Sequence, residues 1–219
     1  MRRNRNMPLN LAVVGLVIGW TMACSSAYYS TWEMLGKEKR DLLRSNVEAV
    51  QEDQRDAADG FEDALDRLRG LYAIDAGDLE KTYDKLKDDL DDAEGRAEDI
   101  HERIGKIDSI ANDLFEEWDG EIGEISNPSY RSKSREKLDE TKNKYADLAA
   151  SLEKSEASMV PVLTQLKDNV LYLKHNLNAA AIGGLSAEVD NIEADIENLL
   201  ADMRASIAEA DRFLTTLPE

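Results

Sequence analysis

The sequence predicts an all-α protein: an elongated antiparallel four-helix bundle with coiled-coil-like packing and long second and third helices. Two observations predict it. From about Trp32 onward, apolar residues recur at alternating spacings of three and four, the heptad signature of helices that pack along a seam. The 219 residues hold only 12 Gly and 4 Pro, and aromatics make up 6%, which suits long helices better than sheets. The breaks in the periodicity are short, and short connections make neighbouring helices antiparallel.

The chain opens with Arg2, Arg3 and Arg5, then the apolar run Leu11–Trp20, then Thr21-Met22-Ala23-Cys24. This is the order of a secretory signal: a positive start, an apolar core and small residues at the cleavage point. The run is shorter than the roughly 20 residues that a spanning helix needs. Cys24 is the single cysteine and stands where cleavage would occur. The placement resembles a lipobox, whose cysteine takes palmitate-type acyl chains and becomes the new N-terminus. Ala23 fits that motif; Thr21 stands where it usually has Leu. Ser25 implies sorting to the outer membrane, where Asp would imply retention. Residues 1–23 therefore read as a signal peptide, 24–34 as a lipidated N-terminus and short tether, and 35–219 as the bundle.

Four helices are expected within the bundle, at about 35–73, 78–125, 128–182 and 186–216. The first seam runs from Leu43 through Val47, Val50, Gln54, Ala57, Phe61, Ala64 and Leu68 to Leu71. The second runs from Leu79 through Tyr83, Leu86, Leu90, Ala93, Ala97, Ile100, Ile104, Ile107, Ala111 and Leu114 to Trp118. The third seam includes Leu138, Tyr145, Leu152, Ser155, Met159, Leu163, Leu166, Val170 and Leu173; the fourth includes Ile192, Ile196, Leu199, Met203, Ile207, Ala210 and Leu214. Each of these last two contains one 4-4 step, a stutter that locally unwinds a supercoil. In the third helix that step brackets Pro161, so a bend is expected there. Gly77-Asp78 can end the first helix and cap the second. Asn127 reads as an N-cap with Pro128 at the first helical position, and Gly183-Gly184-Leu185-Ser186 as the last break.

Charge and residue counts exclude several functions. Lys+Arg number 27 against 46 Asp+Glu, a net of −19, and such a surface repels nucleic acid. Loss of the signal's three arginines leaves 24 basic and 46 acidic residues, a net of −22. One cysteine and two histidines cannot build a disulfide or a Cys/His zinc site. Glu98-x-x-His101 has the spacing of one arm of a carboxylate di-iron site, but the second histidine, His175, follows Tyr172 and leaves the set incomplete. No Gly-rich phosphate loop is present. No catalytic residue, metal ligand or cofactor is expected, and the chain does not read as an enzyme.

Two places suggest interaction. The segment Gln165–Asn178 is less charge-alternating than its surroundings and clusters Tyr172, Lys174, His175 and Asn176. It reads as a partner-binding face or, more simply, as a polar inter-helix layer that fixes register. Ala27–Leu35 places Tyr28, Tyr29 and Trp32 beside the anchor, where such rings favour a membrane interface or pack at the bundle's base.

The blocks Ser26-Ala27-Tyr28-Tyr29, Gly36-Lys37-Glu38-Lys39-Arg40-Asp41, Gly77-Asp78-Leu79-Glu80 and Leu171–Asn178 together resemble the bacterial envelope proteins of domain-of-unknown-function family 2959. The resemblance spans essentially the whole mature chain. It implies a helical protein of Gram-negative bacteria that usually carries an N-terminal signal or lipoprotein signal. It implies no activity, so no site residue carries over. The expected role is a lipid-anchored, periplasm-facing coiled-coil protein, structural or partner-binding, in the cell envelope. Its expected partners are the membrane, through the lipid, and an envelope protein; exposed heptad positions also allow a homo-dimer. The alternatives are a membrane-active bundle resembling pore-forming toxins, which needs an apolar hairpin that this chain lacks outside its signal, and a helical module binding a small ligand or metal.

Overall fold

The computed structural model describes the backbone of residues 23–70, 79–176 and 179–217, and the side chains of residues 38–70, 80–176 and 191–217. The described residues form four helices: α1 Ala23–Gly70, α2 Leu79–Glu124, α3 Pro128–His175 and α4 Ala179–Leu214. There is no strand among the described residues. The chain divides into two units, Met1–Glu38 and Lys39–Glu219. In the first, the described residues are helical backbone from Ala23 onward. The second is the bundle.

Side chains between helices show its topology. Lys39, Asp53 and Arg67 of α1 pair with Glu117, Arg103 and Asp89 of α2, in descending order, so the two helices are antiparallel. Tyr145, Glu156 and Lys167 of α3 meet Asp108, His101 and Glu94 of α2 in the same reversed order. Lys154 and Gln165 of α3 reach Asp202 and Asp195 of α4. Gln51 and Arg69 of α1 reach Asp211 and Glu193, again on α4. The four helices therefore close into an up-down-up-down ring, with α1 diagonal to α3. At 1.5 Å per residue, the 46 residues of α2 span about 69 Å.

The core is the heptad seam. On α1 every expected seam position from Leu43 to Leu68 is buried, Gln54 included. On α2 the seam from Leu86 to Leu114 is buried or packed against the core, and Ile110, Phe115 and Ile122 join it. Leu71, and the side chains of Leu79 and Leu177, lie outside the described residues.

The seams of α3 and α4 differ from expectation. On α3 the buried seam from Ser155 onward runs through Met159, Val162, Leu166, Asn169 and Leu173, with Val170 buried beside Asn169 and Leu163 only half-buried. On α4 the buried seam from Leu199 onward runs through Met203, Ser206, Ala210, Phe213 and Leu217, with Leu200 buried beside Leu199. Both keep the alternating three-four rhythm, so neither stutter exists. A stutter would turn the seam off the common core axis. Packing instead recruits the polar Asn169 and Ser206 at seam positions and leaves Leu163, Ile207 and Leu214 half-buried at the flank. Pro161 lies on the solvent side and α3 runs unbroken through it. The carbonyl of exposed Ala157, left without its helical partner, can bond to water there.

Helix ends also differ. Asn127 caps α3 as expected: its Oδ1 accepts from the amides of Ser129, at 2.9 Å, and Tyr130, at 3.4 Å, and Pro128 follows at the first position. But α3 ends at His175, not 182, and α4 starts at Ala179, not 186. Asn176 makes the stop. Its backbone leaves the helical region, its amide donates to the Leu173 carbonyl at 3.1 Å and its side chain to the Tyr172 carbonyl at 3.0 Å. Ala179-Ala180-Ala181 then restarts a helix at once. Gly183 and Gly184, each about 1 kcal/mol worse than Ala in a helix, are carried inside α4, as is Ser186. The expected tether, 24–34, is helical backbone, since α1 begins at Ala23. The break expected at Gly77-Asp78 lies outside the described residues.

Candidate functional site

The last turns of α3 hold the residues singled out for recognition. Tyr172 is 41% exposed and its neighbour Leu171 46%. Lys174 and His175 are exposed, while Asn176 is half-buried as the helix cap. These side chains do not form one face. At 3.6 residues per turn, Lys174 projects about 160° away from Tyr172. Tyr172 and His175, three apart, share a side. The polar-layer alternative applies to two nearby residues: Asn169 is buried, and Gln165 donates to Asp195 of α4.

The stronger polar layer lies mid-bundle and was not anticipated beyond the presence of Gln54 and Ser155 in the seams. Gln54 Nε2 donates to Ser155 Oγ across the diagonal of the ring, at 3.2 Å and fully buried. Among the described residues Gln54 Oε1 has no hydrogen-bond partner, and neither does the fully buried hydroxyl of Ser206 on α4. Nothing in composition marked Ser206, because serine at a heptad position reads as a gap in the pattern.

A second unanticipated feature joins three helices. Tyr145 of α3 stands edge-on to Phe115 of α2, with ring centres 5.6 Å apart, and to Phe213 of α4, at 5.8 Å. Its hydroxyl donates to Asp108 at 2.8 Å. Burial, then the bond to Asp108, push its pKa far above the ordinary tyrosine value, so it stays a neutral donor. Its partners fit a structural clasp.

His101 does not gather a metal site. It is exposed, and its Nδ1 lies 2.6 Å from Glu156 Oε1 on α3. That hydrogen bond, with the nearby negative charge, raises its pKa. His175 is nineteen residues further along α3 than Glu156, about 28 Å at helical rise. A groove of about 390 Å³ between α1 and α2 is lined by Asp53, Asp56, Asp91, Asp92 and Asp99 with Arg96. Arg103 already pairs with Asp53 and Arg96 with Asp56. Among the described residues, no three His, Cys, Asp or Glu side chains are placed to hold a metal ion, and no helix is long and apolar enough to cross a membrane.

Cys24 falls at the start of the α1 backbone. Its side chain, and those of Ala27–Leu35, lie outside the described residues.

Comparison with known proteins yields a family and no activity. No curated protein and no solved structure matches the chain. One family model matches residues 28–217, nearly the whole length, and its description is protein of unknown function (DUF2959). The four-block resemblance read from the sequence and this match agree, and the chain belongs to the DUF2959 family.

Proposed function

We propose that the chain is a non-enzymatic envelope lipoprotein: an acidic helical bundle tethered by lipid at Cys24 to the outer membrane, facing the periplasm and serving a structural or binding role. The observation that carries this reading is the position of Cys24. The chain's single cysteine stands directly after a basic start, an apolar run and small residues. Two or three acyl chains give stable anchoring, since each buried CH₂ contributes about 0.8 kcal/mol. The bundle supports a binding role in a more limited way. Its helices carry most of their charged side chains on outer faces, and Gln51 and Gln54 in the core bond to other helices.

The test compares cells carrying the wild type and Cys24→Ala. After fractionation, mass spectrometry should find an acylated Cys24 at the mature N-terminus in the outer membrane, and the variant should leave that fraction. A wild type that keeps Met1, or has an unmodified Cys24, overturns the proposal.

A further inference from the structure

We propose that the outward face of α3 between Ala146 and Lys174 is a homodimer interface, on which a second copy of this chain pairs antiparallel about the Ala157–Val160 turn.

Three of the five large apolar side chains left exposed among the described residues lie between 160 and 172: Val160, 62% exposed, Leu171 and Tyr172. Helical spacing places Val160 and Leu171 on the side opposite the buried seam, with Tyr172 at its flank. Thr164 lies between them and Ala150 and Ala157 lie before them, all exposed. With Ala146, Glu153 and Lys167 these positions again step by three and four, so α3 carries a second heptad row on which, among the described residues, no other helix of the bundle packs. The stripe is about 42 Å long at helical rise. Contiguous exposed apolar patches mark protein interaction sites.

Charge identifies the occupant. The chain is strongly acidic, so two copies repel wherever acidic faces meet. Here α3 is the exception. Between Ala146 and Lys174 it holds three Lys and four Asp/Glu, a net of −1, where α2 holds six Lys/Arg and seventeen Asp/Glu, a net of −11. Two copies therefore approach at least cost through α3. In that second row Glu153 and Lys167 stand on opposite sides of its centre. Parallel pairing would set Glu153 on Glu153 and Lys167 on Lys167. Antiparallel pairing about 157–160 brings Glu153 within a turn of the second copy's Lys167, and sets Ala146 against the larger Leu171. Within one chain, Lys167 Nζ contacts Glu94 at 3.0 Å, a solvent-exposed pair that contributes little and can be exchanged.

The proposal does not depend on the lipid tether. Its test is crosslinking of the full-length chain in intact cells with a short, membrane-permeant bis-maleimide. Single-cysteine additions Ala157→Cys and Val160→Cys should yield a species of doubled apparent mass above the wild-type background. Ala146→Cys, far from its counterpart in this register, and Lys106→Cys on α2 should not. Glu153→Lys should abolish the Val160→Cys product, and adding Lys167→Glu should restore it. Circular dichroism of each variant confirms that the helices remain. Monomer at every α3 position overturns the interface. Crosslinking at Ala146→Cys as strongly as at Val160→Cys overturns the antiparallel register.

Discussion

Single side chains in this bundle act mostly through one partner on the neighbouring helix. His101 is the case with a pH signature. Its hydrogen bond to Glu156, aided by Glu98 and Glu102 nearby, favours the imidazolium and raises its pKa above the usual value of about 6.5. The folded-state value is raised, so the pair's contribution is fully present below the unfolded-state pKa. It is lost as pH rises through the folded value. His101 is at the surface, so the effect on stability is small. The titration itself should be plain: an NMR titration of the imidazole should give a higher pKa in the wild type than in Glu156→Gln. Equal values would mean that the contact does not persist in solution.

The four helices are held in register by layers, and the central layer is polar. Ser155→Ala removes the one partner that Gln54 has among the described residues, and leaves its buried amide unsatisfied there. The expected loss is about 1–3 kcal/mol. Adding Gln54→Leu removes the stranded amide and should recover most of it, a coupling that urea melts of the four proteins in the cycle would measure. Simple additivity would show that the two side chains do not bond. Seam positions separate in the same way. Phe213, fully buried beside Tyr145, should cost about 3–5 kcal/mol when cut to Ala. Half-buried Ile207 should cost clearly less. A reversed order would restore the stutter that the sequence suggests. Here lies the limit of what the sequence could tell. Heptad spacing showed the helices, the α1 seam and the Asn127 cap, because each rests on local periodicity or on one capping side chain. It misplaced the seam where a polar residue occupies the core position and the expected apolar one is left at the flank, as at Ser206–Ile207, and where Val162 is buried in place of Leu163. It misplaced the α3–α4 break because glycine pairs usually end helices, while here Asn176 caps first and three alanines restart. The candidate face was legible as a run of unusual residues. Its division, with Lys174 turned away from Tyr172, became clear only with helical phase.

At the scale of the whole molecule, two electrostatic effects oppose each other. Ion pairs link every neighbouring pair of helices, from Lys39–Glu117 to Lys154–Asp202, and salt weakens them. Most have at least one exposed partner, and such pairs contribute about 0–1 kcal/mol each. Against them stands a net charge of −19 carried by one chain. Its self-repulsion acts over distances that paired charges do not cover, because each pair is nearly neutral from afar. Raising ionic strength from about 0.01 M to 0.15 M shortens the screening length from about 30 Å to about 8 Å, less than the separation of most charges on helices of this length. Long-range repulsion should therefore fall more than short-range attraction. The melting temperature, followed by circular dichroism at 222 nm, should rise over that interval. A fall would mean that the interhelical ion pairs form a network stronger than isolated surface pairs. The charges of α1 and α2 would then be part of what holds the bundle closed, rather than a load on a fold held by its apolar seam.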